Sequence, residues 1–144
     1  LIYVDTSALA KAYMAEPRSE DVDDLLLRES GNVAISELAI LEMRSTVSRR
    51  IRERIVPVEV AAQVWSSFQG DLADGLFNII SHGVDDFRSA TRIIEMIAPL
   101  PVKTLDALHI AFAQRAAATH FASADKQQLA AANALGFQTI PFLP

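Results

Sequence analysis

Cysteine is absent from the 144 residues. That rules out disulfides, thiolate nucleophiles and zinc–thiolate centres, and it suits a reducing compartment. Glycine and proline are scarce, at five and six, while 51% of the chain is apolar, which excludes a linker-like or disordered polymer. No apolar stretch approaches the roughly 20 residues that span a bilayer, and no secretory leader pattern opens the chain. The expectation is one cytoplasmic domain over residues 1–144, long enough to bury a real core. The chain begins at Leu1 and not at methionine, so a residue or two is expected to precede it. Basic residues are outnumbered as well: 13 Lys and Arg against 18 Asp and Glu leave a formal charge of -5. That balance argues against broad electrostatic attachment to nucleic acid. The shortage is local, because "RSTVSRRIRER", Arg44 to Arg54, holds five arginines and one glutamate.

What is present alternates short apolar runs with helical stretches. "LIYV" predicts a strand buried on both faces, and "NVAI", "LFNIIS", "HFASA" and "FQTI" predict four more. Between them lie "SALAKAYM", "VDDLLLRE" with Ser19 as N-cap, and "ELAILEMRSTVSRRIRER" started by Ser36. "PVEVAAQVWSSFQGDLA" has proline at its first position, "VDDFRSATRIIEMIA" stops at the Pro99–Pro101 pair, Thr104 caps "LDALHIAFAQRAAA", and Gly136 ends "KQQLAAANAL". Strands separated by helices of this length imply crossover connections and a mainly parallel, doubly wound sheet covered on both faces. In such sheets, sites form at the carboxyl ends of the strands.

Four acids stand at the edges of apolar elements. Asp5 ends the first strand, where it either caps the next helix or holds something. Glu42 sits among Ile35, Leu38, Ile40, Leu41 and Met43, and a glutamate so placed needs a partner or a ligand. Thr46 and Arg49, further along the same helix, are candidate partners for it. Asp106 lies in the first turn of the most apolar helix, with His109 three residues on, where it either orients Asp106 or packs in the core. Asp125 follows the fourth strand and opens a capping-box pattern, "DKQQ". It also repeats the arrangement of Asp5, with Ser123 nearby. Glu37 is an ordinary first-turn acid. Asp21, Asp23, Asp24, Asp71, Asp74, Asp85 and Asp86 are expected on solvated faces, and Trp65 with Phe68 in core or partner packing. The arginines of 44–54 spread around their helix, which suits a solvated or partner-facing surface as well as a phosphate-binding one.

If Asp5, Glu42, Asp106 and Asp125 converge, each pair repels by roughly 1–4 kcal/mol depending on local dielectric, and protons or cations must neutralise the group. An all-oxygen set without cysteine or paired histidines selects a hard ion, Mg²⁺ or Mn²⁺ before Zn²⁺. Such an ion prefers phosphate oxygens and activates water, which points to phosphodiester hydrolysis.

Through "YVDTSAL", "SELAILEM", "TLDALHIAFA", "FASADKQQL" and "GFQTIPF", in that order, the chain resembles a PIN domain, and within that family the toxin nucleases of bacterial VapBC-type toxin–antitoxin pairs. The resemblance implies a three-layer α/β/α fold around a parallel sheet of about five strands. It implies that Asp5, Glu42, Asp106 and Asp125 bind Mg²⁺ or Mn²⁺ for RNA cleavage by metal-activated water, with Thr6 or Ser7 and Ser123 as supporting hydroxyls. It also implies a homodimer silenced by a VapB-type antitoxin whose C-terminal segment lies along the active-site groove. One departure is local: Ser-Ala precedes Asp125 where the family commonly has Thr-x-Asp.

Other functions are weighed on residues. A receiver-type phosphoacceptor wants paired acids after the first strand and one after the middle strand, but Thr6 follows Asp5 and "LFNIIS" ends without an acid. A haloacid-dehalogenase-like phosphatase needs an acid two residues after Asp5, where Ser7 stands. A catalytically silent PIN-fold binding module shares the fold but has no use for all four acids.

Overall fold

The computed structural model describes residues Leu1–Pro144. Five parallel strands, β1 (Ile2–Val4), β2 (Val33–Ser36), β3 (Asn78–Ile80), β4 (His120–Ser123) and β5 (Gln138–Pro141), lie in the order β3-β2-β1-β4-β5. The helices are α1 (Thr6–Leu9), α2 (Ser19–Arg28), α3 (Glu37–Arg52), α4 (Val58–Ala73), α5 (Asp86–Ile97), α6 (Thr104–Arg115) and α7 (Lys126–Ala134). A short 3-10 turn, Ala10–Ala12, continues α1. The order reverses at β1, so the crevice between β1 and its neighbours opens where a doubly wound sheet builds its sites.

Side-chain alternation divides the core into two layers. Ile2 and Val4 of β1 face one cluster with Leu9, Val22, Met43, Val47 and Phe68, beneath α1 to α4. Tyr3 faces the other, with Ile93, Ile110, Phe112, Phe121 and Phe137, beneath α5 to α7. β1 and β2 are buried at every residue, whereas β3 and β5 are half open at the sheet edges. α6 is enclosed from Ala107 through Ala113, its alanines allowing close approach to the sheet and to α5. Phe68 is fully buried and Trp65 lies partly exposed beside it, with the Arg44 guanidinium 5.0 Å over its ring.

Several local expectations are corrected. Ser19 is the first residue of α2, after Arg18 in the left-handed region at φ 75. Its hydroxyl serves the preceding loop, accepting from Glu16 N and donating to the Met14 carbonyl. Thr104 likewise lies inside α6, and Lys103 takes the cap position in extended conformation. Pro57 stands at the N-cap of α4, one place earlier than expected. Asp86 is not solvated: it is 3% exposed and accepts from Arg115 Nε at 2.9 Å and from Gly83 N. Burial works against its charge, but the Arg115 guanidinium and the backbone N–H outweigh it and hold the carboxyl below its usual range. This ion pair ties the loop after β3 to the far end of α6.

Candidate active site

The carboxyl edge of the sheet brings Asp5, Glu42, Asp106 and Asp125 from four different elements into the wall of one cleft of about 330 Å³. Parallel pairing sets the first of them beside the strand end that leads to the last. Val4 is in register with Ala122, and the Asp5 amide continues the ladder to the Ala122 carbonyl at 3.1 Å. Asp5 therefore stands beside Ser123.

Asp5 is 4% exposed and both its oxygens are used. Oδ1 accepts from the Ala8 amide at 3.0 Å and from the Ser7 hydroxyl at 2.8 Å; Oδ2 accepts from the Ser123 hydroxyl at 2.6 Å. The residue caps α1 and also fastens β1 to β4. Burial still pushes its pKa up, against the help of His109 and these donors. Ser123 has a second task, accepting from the Asp125 amide at 2.9 Å, and so links the two acids through one hydroxyl.

Glu42 is reached across the sheet. Oε1 accepts from the Thr6 hydroxyl at 2.7 Å and faces His109 Nε2 at 2.5 Å. A carboxylate oxygen only accepts, so Nε2 carries a proton. Burial raises the Glu42 pKa, but hydrogen bonding and charge from His109, with Thr6, outweigh it and lower the value overall. The alternative in which Glu42 turns along its helix to Arg49 does not occur. Nor does His109 orient Asp106. Its Nδ1 meets the Tyr3 hydroxyl at 2.7 Å, and that hydroxyl donates to Ser36 Oγ at 2.8 Å. Ser36 in turn caps α3 by accepting from the Ala39 amide. A buried chain thus runs from Ser36 through Tyr3 and His109 to Glu42 and Thr6.

Asp106 and Asp125 are held more loosely. Asp125 caps α7 with Oδ1 alone, accepting from Gln127 N at 2.8 Å and Gln128 N at 3.0 Å. Asp106 has one neighbouring donor, the fully buried Gln128. With its amide nitrogen turned inward, Gln128 donates to Oδ1 at 2.9 Å. Burial, then the negative charge of Asp125 and, more weakly, of Asp5, raise the Asp106 pKa to about 6.

All four sequence-predicted acids thus line the cleft, and Thr6, Ser7, Ser123 and His109 each bind one of them. Sequence reasoning missed Tyr3 and Gln128, and it gave Ser36 only as the start of its helix. Tyr3 reads as one more apolar strand residue, and only its fully buried phenol oxygen hints at a partner. Oxygen donors without sulfur, one of them inclined to keep a proton for want of countercharge, suit a hard divalent cation. As the side chains stand, no three His, Asp or Glu residues draw close enough to surround one ion.

A family model described as PIN domain matches residues 2–134. Among solved structures, the chain is similar to VapC20, the Sarcin-Ricin loop cleaving toxin of Mycobacterium tuberculosis, with 16% identity over 95% of this chain and 96% of that one, at a TM-score of 0.70. It is similar to a chain of VapBC2 from Rickettsia felis bound to a promoter DNA fragment, with 16% identity over 98% of each chain and a TM-score of 0.73. It is also similar to a chain of FitAcB from Neisseria gonorrhoeae, with 17% identity over 97% and 96% and a TM-score of 0.66. No curated protein sequence matches significantly. At these identities the structures speak for the fold, and the family match spans nearly the whole sequence: the chain belongs to the PIN domain family.

Proposed function

We propose that the chain is a metal-dependent endoribonuclease toxin that hydrolyses RNA phosphodiester bonds, works in the cytoplasm as a homodimer, and is neutralised by a cognate VapB-type antitoxin. The observation that carries this reading is the convergence of four carboxylates, from the ends of β1 and β4 and from α3 and α6, on one cleft. Antitoxin complexes among the similar structures support the partner.

Asp5, Glu42, Asp106 and Asp125 are the residues that would hold Mg²⁺ or Mn²⁺. When bound, the ion polarises the phosphoryl group and makes water a nucleophile at neutral pH. The remaining work falls to the chain. Ser7 and Ser123 hold Asp5 in one orientation. His109 and Thr6 occupy one oxygen of Glu42, which leaves Oε2 for the cleft. Asp106, whose pKa burial and the neighbouring Asp125 raise to about 6 in the metal-free cleft, is the acid that a cation would relieve most. The silent-module reading predicts the same fold and no chemistry.

The test is incubation of structured RNAs with antitoxin-free protein in Mg²⁺, Mn²⁺ or chelator. Cleavage should need the ion and vanish in Asp5→Asn. RNA left intact by folded wild-type protein in either ion sinks the enzyme reading in favour of the silent module.

A further inference from the structure

The same cleft has a second end of opposite sign. α3 carries Glu42, Thr46 and Arg49 along one face, and all three line the cleft together with Arg50, Lys11 and Glu16. Two of the three cations there are already engaged. Glu16 accepts from the buried Lys11 Nζ at 3.3 Å and from Arg50 Nη2. Arg49 is exposed and no carboxylate pairs with it. Glu42, two turns away on the same face, is already taken by His109 and Thr6. An unpaired guanidinium is thus held in a cleft whose opposite end gathers acids. Seven residues of helix put it about 10 Å along the axis from Glu42, a distance the long Arg49 side chain can close to meet a phosphate near one held at the acids.

We propose that Arg49, flanked by Arg50, seats a backbone phosphate adjacent to the scissile one, so that the cleft grips a single-stranded RNA at two points. The proposal rests on the nuclease reading and deepens it. Guanidinium groups suit this task because their forked donors match phosphate oxygens. The contact carries no base information, so it sets position and affinity and leaves sequence preference to other groups. It also explains how a protein of net charge -5 holds a polyanion: the favourable field is confined to one end of one cleft. Because Arg50 is committed to Glu16, its loss disturbs packing, and Arg49 is the cleaner probe.

The experiment measures binding of a labelled, mixed-sequence single-stranded RNA of roughly ten nucleotides in EDTA, where cleavage cannot interfere, from about 50 to 200 mM salt. Wild type, Arg49→Gln, Arg49→Lys and the charge-matched control Arg92→Gln, on the exposed side of α5, are compared. Arg49→Gln should weaken binding several-fold at low salt and reduce the slope of log K against log salt by about 0.7, the single-strand value for one phosphate contact. Arg49→Lys should keep the slope, and Arg92→Gln should match wild type. Wild type that binds RNA with Arg49→Gln indistinguishable from it overturns the phosphate seat and leaves the nuclease reading standing. Wild type that binds no RNA overturns the phosphate seat, while the cleavage assay with Mg²⁺ or Mn²⁺ decides the nuclease reading. An oligoglutamate peptide that binds more tightly than RNA, through Arg49, assigns the basic end to an acidic protein partner and overturns the proposal.

Discussion

The two halves of the acidic cleft are built to different standards. Asp5 and Glu42 sit in a finished lattice: every oxygen of Asp5 has a donor, and Glu42 is clamped by Thr6 and by an imidazole that Tyr3 steadies from behind. Asp106 and Asp125 have a helix cap and one amide between them. The contrast separates two meanings of "buried acid". The first pair is structure as much as chemistry, and removing either leaves donors stranded. In the second pair Asp125 caps α7 through one oxygen, and Asp106 is charge held near charge, which the fold tolerates without needing it.

Replacing Asp5 should therefore do the most damage. Asp5→Ala should cut metal-dependent RNA cleavage by roughly three orders of magnitude, or ~4 kcal/mol. It should also lower metal-free stability by about 2–3 kcal/mol, since a cap and two hydroxyl partners go together. An expectation of relief on removing this acid, natural when only repulsion is considered, does not fit its three donors. A thermal melt of Asp5→Ala above wild type would erase the contrast between the halves.

Divalent cation should stabilise wild type by about 2.7 kcal/mol at a hundredfold excess over Kd, read as a rise in Tm with Mn²⁺. Asp106→Asn should remove most of that rise. Retention of the full rise would mean that the outer pair does not face the ion.

Tyr3→Phe keeps the ring stacked on Phe121 and deletes only the hydroxyl. It should cost about 1–2 kcal/mol for the Ser36 and His109 groups left unpaired. Cleavage should fall while Mn²⁺ affinity drops less than in Asp106→Asn. Denaturant melts and calorimetric titration separate the two effects.

The smallest effect sharpens the comparison most, because its sign is opposite. Asp106 has a folded pKa of about 6, above the ordinary carboxylate value near 3.9 expected when unfolded. The folded state holds that proton more tightly, so the stability it contributes is complete below about pH 3.9 and is lost as pH rises through about 6. Glu42 runs the other way: its lowered pKa contributes stability at higher pH that is lost on acidification. Metal-free Asp106→Asn should thus melt above wild type from pH 6 upward, by about 1 kcal/mol after allowance for solvent screening. That is roughly 2–4 °C, and the gap should close toward pH 4. A gap that widens on acidification contradicts the assignment.

The fold was legible because each buried strand is a short apolar run closed by a polar residue. "LIYV" before Asp5 and "HFAS" before Ala124 and Asp125 need no tertiary information. The four acids were legible for a related reason: a carboxylate beside such a run is costly and draws the eye. What stayed hidden depends on contacts that no spacing encodes. Tyr3 and His109 are 106 residues apart, and Asp86 with Arg115 reads as two surface charges until β3 brings them together. The dual role of Asp5 and Asp125 was hidden differently. Capping and convergence were posed as rivals, and the geometry lets one carboxylate do both, because a helix that follows a parallel strand starts at the site edge.

The link through Ser123 sets the order in which this protein becomes complete. Its hydroxyl meets Asp5 across 118 residues, so the first strand waits in the middle of the sheet until the fourth is made. A ribosome that has synthesised as far as α5 holds a chain with Asp5 and Glu42 but neither Asp106 nor Asp125. On the proposed nuclease reading that timing is a safeguard: a chain made only as far as α5 lacks two of the four carboxylates the chemistry needs.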